Sequence, residues 1–586
     1  MKKFLTILFL TLLACNINAQ QIIRANPYYT NKSVEAPTAN SFVGTFVTPS
    51  PSYVVNLSLL GGSGSSYTIH WGDGSSDVVG SAAPPPHTYT TAGNYTFWID
   101  GLCKTVNLSG KSELRTITQW GNIGATSFTV QSSGLTTITA ATSSVFFNSV
   151  TTLANAFNGS KLTAIPSGLF NSATSATSFV NTFLNCTFIT SAIPSGLFDY
   201  CTAVTTFNST FRGCTNLSGS IPSGLFANNT AVTDMSILFL NCTSLTGAIP
   251  TGLFANNTLV TTFNTTFANC AGLTSIAAGL FSTNTAATNF TSIFSGCTGI
   301  TSIPSNLFDN NTNATTFASA FLNTGITSIP TDLFKFNTKV TSFQAVFQQC
   351  TSLTSLPANL FFYNALVNNY SLIFNGCTNI SGALPLLFGH NVSTTFASAF
   401  LNCNAITSVP SGFFDSCKSV TTFASTFQVS LGASSSLTIP SGLFDSCKNV
   451  TTFASTFSVV AGVGSTSGIA SIPAGLFVNN TKVATFASTF LNCVITSIPA
   501  NLFDNCTLAT SFNQTFRNCS NIVTVPSALF DLTTAANDFT NTFNVCIGIT
   551  SSVPTLWTLY PSSTHTACFA GCTNASNYAS IPTDWK

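Results

Sequence analysis

Apolar and polar positions alternate along most of this chain with a period of about 27 residues. The clearest mark is a Leu-Phe pair, or its equivalent, whose second residue recurs from 170 to 530, and Trp557 continues the series. A fixed period in this range predicts a solenoid, because each coil can bury its apolar face only against its neighbours. The series is Phe170, Phe198, Phe226, Phe254, Phe281, Phe308, Phe334, Phe361, Phe388, Phe414, Phe444, Phe477, Phe503 and Phe530.

Each coil has two halves with a similar short pattern, represented by the consensus "LTSIPSGLF", as in "LTAIPSGLF" at 162–170, and by "VTTFASTF" at 420–427. Neither half carries the roughly ten residues at helical period that a full helix needs, so we predict short strands followed by tight turns or single helical turns. Proline in "IPSG" closes a strand because it has no N–H to donate. With one degenerate coil near Phe147, residues 140–586 should form about sixteen coils, with a C-terminal cap from about residue 560.

Charge is scarce, since only 5% of the 586 residues are Asp, Glu, Lys or Arg, against roughly a quarter in typical globular chains. Stacked coils place equivalent residues about 4.8 Å apart, so a column of like charges would repel at every step. Columns of Thr, Ser and Asn avoid this, and the 54 Phe predict continuous inner stacks. A net charge of +1 without clustered Lys or Arg argues against a nucleic-acid partner.

The first residues, "MKKFLTILFLTLLACNINAQQ", have the basic start, apolar centre and small residues of a secretory signal. One interpretation is a signal peptide over 1–19, cleaved after Ala19. The other is a cut before Cys15 in "LLAC", which resembles a bacterial lipobox and would leave Cys15 as a lipid anchor. Beyond this start no apolar run reaches about eighteen residues, so we expect no transmembrane segment. Both interpretations predict an extracellular or cell-surface protein, on the outer surface of a bacterium.

Residues 37–103 alternate aromatic or β-branched with polar residues around glycine-rich turns, as in "YTIHWGDGSSDVVG" and "HTYTTAGNYTFWIDG". This predicts a small all-β sandwich built from hairpins. The two segments resemble the PKD-type, immunoglobulin-like module of secreted bacterial proteins, which implies a spacer or accessory binding role. Residues 104–139 are then a lead-in or N-terminal cap.

The repeat itself resembles the leucine-rich repeat in its consensus "LTSIPSGLF". In a Phe-x-x-Cys followed by the consensus "TSLTSIP", as in "TSLTSLP" at 351–357, it resembles the BspA-like repeat of secreted bacterial surface proteins. The resemblance covers about three quarters of the chain. It implies a leucine-rich-repeat-like solenoid that binds other proteins without catalysis, as an adhesin does.

Sixteen of the nineteen cysteines occur as Phe-x-x-Cys and should form columns, which Thr324 interrupts. Export and stacking would permit disulfides between adjacent coils, but we favour buried free thiols acting as small apolar residues. No compact C-x-x-C pair indicates a zinc site.

Two sets of residues are candidates for a metal-binding site. His70, Asp73, Asp77 and His87 are of types that bind zinc, but Asp in "GDG" typically caps its own turn. One Asp directly after the Leu-Phe pair suits turn capping better than calcium, which needs several oxygen ligands. We therefore predict no metal and no cofactor. The second set is Asp199, Asp309, Asp415, Asp445, Asp504 and Asp531.

Catalysis has little support, because the repeats offer only His390 and His565 as histidine bases and contain no recognisable catalytic motif. We predict that the chain is not an enzyme. An envelope-linked enzyme with reactive thiols at Cys417 and Cys447 remains as an alternative.

Two coils are longer than the rest, at 30 and 33 residues, and their extra length falls in 428–438 and 458–470. Insertions at equivalent points of adjacent coils emerge on one face, which predicts a paired contact site; tolerated drift in surface loops is the alternative. We expect a partner that is an extracellular protein or glycan on another cell or host matrix. A structural or ice-binding role of the Thr ladders in "VTTF" and "LTSI" is a further alternative. The candidate contact residues are Gly432, Ser434, Ser435, Gly462, Gly464 and Ser465.

Overall fold

The computed structural model describes residues 35–141, 145–430, 436–460 and 468–586. The predicted signal segment, with Cys15 and Ala19, lies outside the described residues.

The N-terminal region is built of short strands around a six-stranded sheet in the order β10-β8-β1-β6-β3-β4. Strands β1 and β3 pair antiparallel with β6, which is distant from both in sequence, whereas β3 and the strand that follows it, β4, form a hairpin. Separately, β2 pairs with β5 and β7 pairs with β9. The strands are β1 Phe42–Thr48, β2 Tyr53–Val55, β3 Ser66–His70, β4 Ser76–Val79, β5 His87–Tyr89, β6 Gly93–Leu102, β7 Thr105–Asn107, β8 Leu114–Gln119, β9 Ser127–Thr129 and β10 Thr137–Ile138.

The sheet continues past residue 103 into the segment predicted to be a lead-in. Strand β8 pairs antiparallel with β1, and β10 pairs parallel with β8. Aromatic rings then connect this sheet to the first coils: the Phe42 and Phe146 ring centroids lie 5.5 Å apart, and those of Trp120 and Phe147 lie 4.9 Å apart. One apolar core therefore runs from the sheet into the solenoid.

The solenoid is a stack of coils joined by a ladder of parallel β-bridges. The ladder passes through sixteen residues, one from each coil, which confirms the predicted leucine-rich-repeat-like solenoid. Most coils contribute a single bridged residue at this ladder and not the predicted short strand. The bridged residues are Thr152, Ser178, Thr206, Asp234, Thr262, Asn289, Thr316, Ser342, Asn369, Thr395, Thr422, Thr452, Thr485, Ser511, Asp538 and Thr564.

Longer parallel pairs occur at three places in the stack. The three pairs are β11 with β12, β13 with β14, and β15 with β16. Helix is confined to the C-terminal end of the described chain, where a short α-helix and two 3-10 turns lie. These elements are β11 Gly247–Ile249, β12 Leu273–Ile276, β13 Ser381–Ala383, β14 Ala405–Ser408, β15 Val429–Ser430, β16 Val459–Val460, α1 Leu556–Leu559, and the 3-10 turns Tyr578–Ser580 and Thr583–Trp585.

The bridged residue in every coil is Ser, Thr, Asp or Asn, and the reason is a side-chain hydrogen bond. Thr316 Oγ1 accepts the backbone N–H of Ala318 at 3.1 Å, and Asn289 Oδ1 accepts that of Thr291 at 2.9 Å. Only a short side chain with an acceptor can close this turn on its own backbone. Each coil therefore contributes one bridged residue to the ladder, because the chain turns directly after it.

Each turn also needs a residue with positive φ. In the coil of Thr316 this is Ser319, with φ of 55°. A second such position precedes the column cysteines, where Asn241 has φ of 63° and Gly213 has φ of 73°. Asn and Gly tolerate this left-handed conformation, which explains the recurring "NC" and "GC" pairs.

Replacing Val545 by asparagine should stabilise the protein by about 1 kcal/mol, because Val545 occupies the second left-handed position with φ of 61°. A β-branched side chain is strained there, whereas Asn518 holds the same place in the preceding coil. Urea unfolding measures the gain. Val523→Asn is the matched control, since Val523 is exposed and has no positive φ; an equal gain in the control would contradict the backbone explanation.

Three columns of aromatic rings fill the core, as the phenylalanine count predicts. One of them runs without interruption from Phe157 to Phe569, with neighbouring ring centroids 5.4 to 5.9 Å apart. At the C-terminal end Trp585 is buried against Phe569, at 6.3 Å, and stacks on His565 at 4.1 Å.

Candidate functional site

The two long loops leave and re-enter the solenoid at stacked positions of adjacent coils. On the exit side Val429 pairs with Val459 and Ser430 with Val460, and on the return side Ser436 bridges to Gly468. Both loops are thus anchored in one register, as expected for insertions at equivalent points. Their six candidate contact residues lie outside the described residues, so their role stays a prediction: Gly432, Ser434, Ser435, Gly462, Gly464 and Ser465.

The solenoid beneath the loops is closely packed. Phe427 and Phe457 stack with ring centroids 5.9 Å apart, and Gly468, with φ of 94°, leaves no room for a Cβ beside Val459 and Cys493. A cavity of about 20 Å³ remains there, far below the few hundred Å³ that a small molecule needs. A ligand at this place must therefore be bound by the loops and the outer surface.

The main cysteine column is a ladder of buried hydrogen-bond donors. Each thiol lies 3.0 to 3.1 Å from the carbonyl oxygen of a phenylalanine in the preceding coil, as Cys242 does with Phe211. The eighteen cysteines of the described residues are free and buried. The thiols thus fill the core as small apolar residues and also donate to backbone carbonyls. The twelve members of the main column are Cys186, Cys214, Cys242, Cys270, Cys297, Cys350, Cys377, Cys403, Cys493, Cys519, Cys546 and Cys572.

Cys417 and Cys447, the candidate reactive thiols, belong to a second column and are fully buried. Burial raises the pKa of the Cys417 thiol to about 12 and raises that of Cys447 as well. Cys447 Sγ lies 3.4 Å from the carbonyl oxygen of Cys417. A thiol with a raised pKa holds little thiolate at neutral pH, which is the form that reacts.

Maleimide should therefore label neither Cys417 nor Cys447 in the native chain, and label both after denaturation. Mass spectrometry of labelled peptides gives the measurement. Lys448→Cys is the matched control, because this neighbouring side chain is exposed and should label at once. Rapid native labelling of Cys417 or Cys447 would instead support a reactive thiol.

Eight coils carry a buried asparagine in the column where Cys417 and Cys447 stand; one of them, Asn391, donates to Gly389 of its own coil. In the other seven the asparagine Nδ2 donates to two carbonyl oxygens of the preceding coil; for Asn311 these belong to Phe281, at 3.1 Å, and Asn284, at 2.9 Å. Sequence reasoning missed this ladder, although an Asn recurring three residues after the Leu-Phe phenylalanine was its signal. Its members are Asn229, Asn257, Asn284, Asn311, Asn337, Asn364 and Asn480.

Of the four residues considered as zinc ligands, His87 and Asp73 contact each other, whereas His70 and Asp77 have other partners. His87 Nε2 lies 2.8 Å from Asp73, whereas Asp77 accepts the indole N–H of Trp71 at 2.8 Å and His70 lies 3.5 Å from Asp100. Within the described ranges, no group of three or more His, Cys, Asp or Glu is placed to hold a metal ion.

The Asp column lies at the turns that follow the Leu-Phe pairs. The carboxylates of Asp199 and Asp445 lie over Gly196 and Gly442, whose φ values are 71° and 72°. Of the two repeat histidines, His390 is exposed and His565 bonds Asp584 at 3.0 Å. Among the described residues Asp445 Oδ1 is buried without a hydrogen-bond partner, so turn capping by this column stays a prediction, whereas the His565–Asp584 contact lies at the C-terminal end of the stack.

An exposed threonine column runs beside the bridged ladder. Each hydroxyl donates to the carbonyl oxygen one coil earlier, as Thr261 does to Thr233 at 3.1 Å, which fixes the side chains in a row. Asn368, Ala484 and Asn537 interrupt the column. Seven successive members are Thr177, Thr205, Thr233, Thr261, Thr288, Thr315 and Thr341.

Among the described residues, no helix has the length and apolar character needed to cross a membrane. No family model matches this chain, and no curated protein matches it. Two solved structures are similar at low levels. One is a TLR13–ssRNA13 complex, at 10% identity and a TM-score of 0.22 over 77% of this chain and 76% of that chain. The other is a leucine-rich cell surface protein from Faecalibacterium prausnitzii, at 16% identity and a TM-score of 0.18 over 81% and 88%. The fold assignment rests on the bridge ladder and not on these two structures.

Proposed function

We propose that this chain is an exported, non-catalytic surface protein that binds an extracellular protein or glycan on another cell or on host matrix, and so serves bacterial adhesion or recognition. The supporting observation is the anchoring of the two loops. Long insertions follow Val429–Ser430 and Val459–Val460, in the two coils that are 30 and 33 residues long. These two coils are adjacent, and the residues before the insertions pair with each other. Paired insertions of this kind on a regular scaffold are typical of binding surfaces.

The buried state of the thiols supports a binding role over an envelope-linked enzyme. The repeat's Cys column donates to backbone carbonyls inside the core, where no substrate reaches it. The resemblance of the repeat to BspA-like proteins, and of residues 37–103 to the PKD-type module, supports the finer proposal of a surface adhesin with an accessory N-terminal module.

Binding of the chain from residue 20 onward to immobilised matrix proteins, glycans and bacterial envelopes tests this proposal. We expect at least one surface to be bound. Replacing 431–435 and 461–467 by Gly-Gly linkers should weaken that binding about tenfold or more. Thr298→Ala, in the corresponding turn of a regular coil, should leave it unchanged. Binding that survives loss of both loops would contradict the loop assignment, and no binding to any surface would contradict the proposed function.

The exposed threonine column favours ice binding as a second candidate function. Hydrogen bonds of 3.0 to 3.3 Å from the hydroxyls to carbonyl oxygens hold seven successive threonines in one regular row. If this row binds ice, the chain should show thermal hysteresis, and Thr261→Lys should abolish it. Absence of hysteresis in the unmodified chain rules this function out.

A further inference from the structure

The outer face of the N-terminal sheet carries a groove with a mostly polar lining. Two adjoining cavities of about 490 and 480 Å³ lie there, each within the size range of small-molecule sites. They share Glu35, His70 and Ser76, and residues 35–38 contribute to both. We call this region the sheet groove. Its lining also includes Thr68, Thr96, Trp98 and Asp100.

Strand pairing brings the groove residues together. His70 of β3 lies opposite Trp98 of β6 and Ser76 of β4. Thr68, two residues before His70, lies opposite Asp100. On β3 and β6 the residues between them are buried in the core, because successive side chains of a strand point to opposite faces. The groove residues therefore share the outer face of the sheet.

Two carboxylates lie on either side of the His70 ring. Glu35 Oε2 lies 3.3 Å from His70 Nδ1, and Asp100 Oδ2 lies 3.5 Å from His70 Nε2. The Ser41 hydroxyl donates to the other Asp100 oxygen, and the His70 ring stacks on Trp98 with centroids 4.5 Å apart. Because the carboxylates contact different ring nitrogens, they do not converge on a cation.

Several polar groups of the groove make no hydrogen bond within the described part of the chain. These groups include the hydroxyls of Thr68, Ser76 and Thr96. The indole N–H of Trp98, a residue that is only 8% exposed, is buried and also has no partner there. A buried donor without a partner is costly, whereas the pairing of the strands does not need any of these groups. They are therefore available to a ligand.

The composition of the lining favours an uncharged ligand rich in hydroxyl groups. It includes two carboxylates and one imidazole but no Lys or Arg, which disfavours an anion. An amine would have to compete with the His70 ring for both carboxylates. Carboxylates accept hydrogen bonds, and Thr and Ser hydroxyls both accept and donate them, as sugar hydroxyls require.

Apolar surface in the groove is small, which disfavours a protein segment. Protein-binding hot spots are formed around large aromatic or apolar anchors. Here the Trp98 ring is covered by His70, and the accessible apolar side chains are Ala36, Pro37 and Val78, of which Val78 is 87% exposed. Small apolar side chains of this kind can contact the C–H groups of a sugar ring.

We infer that the sheet groove binds a neutral glycan, whose hydroxyl groups hydrogen-bond to Thr68, Ser76 and Asp100. The groove shares no residue with the two loops of the solenoid. The inference rests on the proposed function only in that an exported surface protein meets glycans.

An array of neutral, acidic and amino-sugar glycans, probed with the chain from residue 20 onward, tests the inference. We expect binding to at least one neutral glycan, with an affinity that added salt does not change. Thr68→Val combined with Ser76→Ala should weaken this binding about tenfold, because two hydrogen bonds are lost. The matched control is Thr118→Val, since Thr118 is exposed on β8 and lies outside the groove. Circular dichroism checks that each variant is folded.

Asp100→Asn separates a neutral ligand from a cationic one, because it removes the charge and keeps an acceptor. Binding of a neutral glycan should weaken about threefold or less. If the chain instead prefers amino sugars or lysine-rich peptides, and loses them in high salt or with Asp100→Asn, a cation is the occupant and the inference is overturned.

Other outcomes also overturn the inference. They are the absence of binding to any neutral glycan, binding that survives the double variant, and an equal loss with Thr118→Val. Binding that appears only after removal of residues 20–34 would make that segment of the chain the occupant. Glycan binding that is lost with the two loops but not with the double variant would support the loop proposal and contradict this one, so the two proposals fail separately.

Discussion

Replacing Phe308 by alanine should destabilise the solenoid by about 4 kcal/mol, the usual cost of removing a buried phenylalanine from a tightly packed core. Phe308 is fully buried, and its ring lies 4.6 Å from that of Phe317, 5.1 Å from Phe290 and 5.9 Å from Phe281. Truncation would leave a cavity that neighbouring coils cannot fill, because each coil is held in place by the backbone ladder. Urea unfolding measures the change.

The matched control for this substitution is Phe336→Ala, in the next coil. Its ring is 48% exposed, so its removal should cost less than about 1 kcal/mol. Hydrogen exchange gives a second test, because coils of a solenoid contact mainly their neighbours. Exchange should quicken on both sides of Phe308 and stay unchanged near Phe516. A uniform change along the chain would contradict this nearest-neighbour picture.

The solenoid could be predicted from the sequence because its core residues recur at a nearly fixed spacing. Phe281, Phe308 and Phe334 stand at almost equal spacings, and a stack that buries one must bury all. What local periodicity cannot show is pairing between distant segments. Strand β8 joins β1 through partners such as Thr45 and Thr116, and nothing in either segment alone specifies this pairing.

The sequence shows the buried Asn and Cys columns as recurring residues, but it does not show the hydrogen bonds that these side chains make. Asn311 and Cys447 occupy one column, where an amide or a thiol donates to carbonyl oxygens of the coil before. A recurring Asn predicts a repeated environment, but its burial depends on the direction of the side chain, which the recurrence alone does not give. The same holds for the thiols, whose hydrogen bonds to phenylalanine carbonyls add to the predicted apolar role.

The candidate surfaces differ in how far sequence reveals them. The loop positions follow from coil lengths alone, and the anchoring of Val459 and Gly468 agrees with that reasoning. The exposed rings of Phe336 and Phe362 are hard to recognise in the sequence, because they resemble core phenylalanines in a chain that has 54 phenylalanines. Only their place in the repeat, where other coils are polar, separates them from the core.

Replacing Asn311 by leucine should destabilise the solenoid by about 3 kcal/mol. The change removes two hydrogen bonds, to the carbonyl oxygens of Phe281 and Asn284, each worth about 1 kcal/mol. The branched side chain must also fit a column shaped for an amide, at about 1 kcal/mol more. Urea unfolding again gives the measurement, and Asn310→Leu is the control, since Asn310 is exposed and donates one bond, to Ser282.

A second substitution separates the lost donor from the change of shape. Asn311→Cys places a thiol where Cys417, Cys447 and Cys506 stand in other coils, all buried. A thiol there restores a weak donor in a small volume, so we expect a loss of only about 1 kcal/mol. If Asn311→Cys costs as much as Asn311→Leu, the column needs the full amide. If Asn310→Leu costs as much as Asn311→Leu, burial of the amide is not the cause, and the asparagine ladder does not hold adjacent coils together.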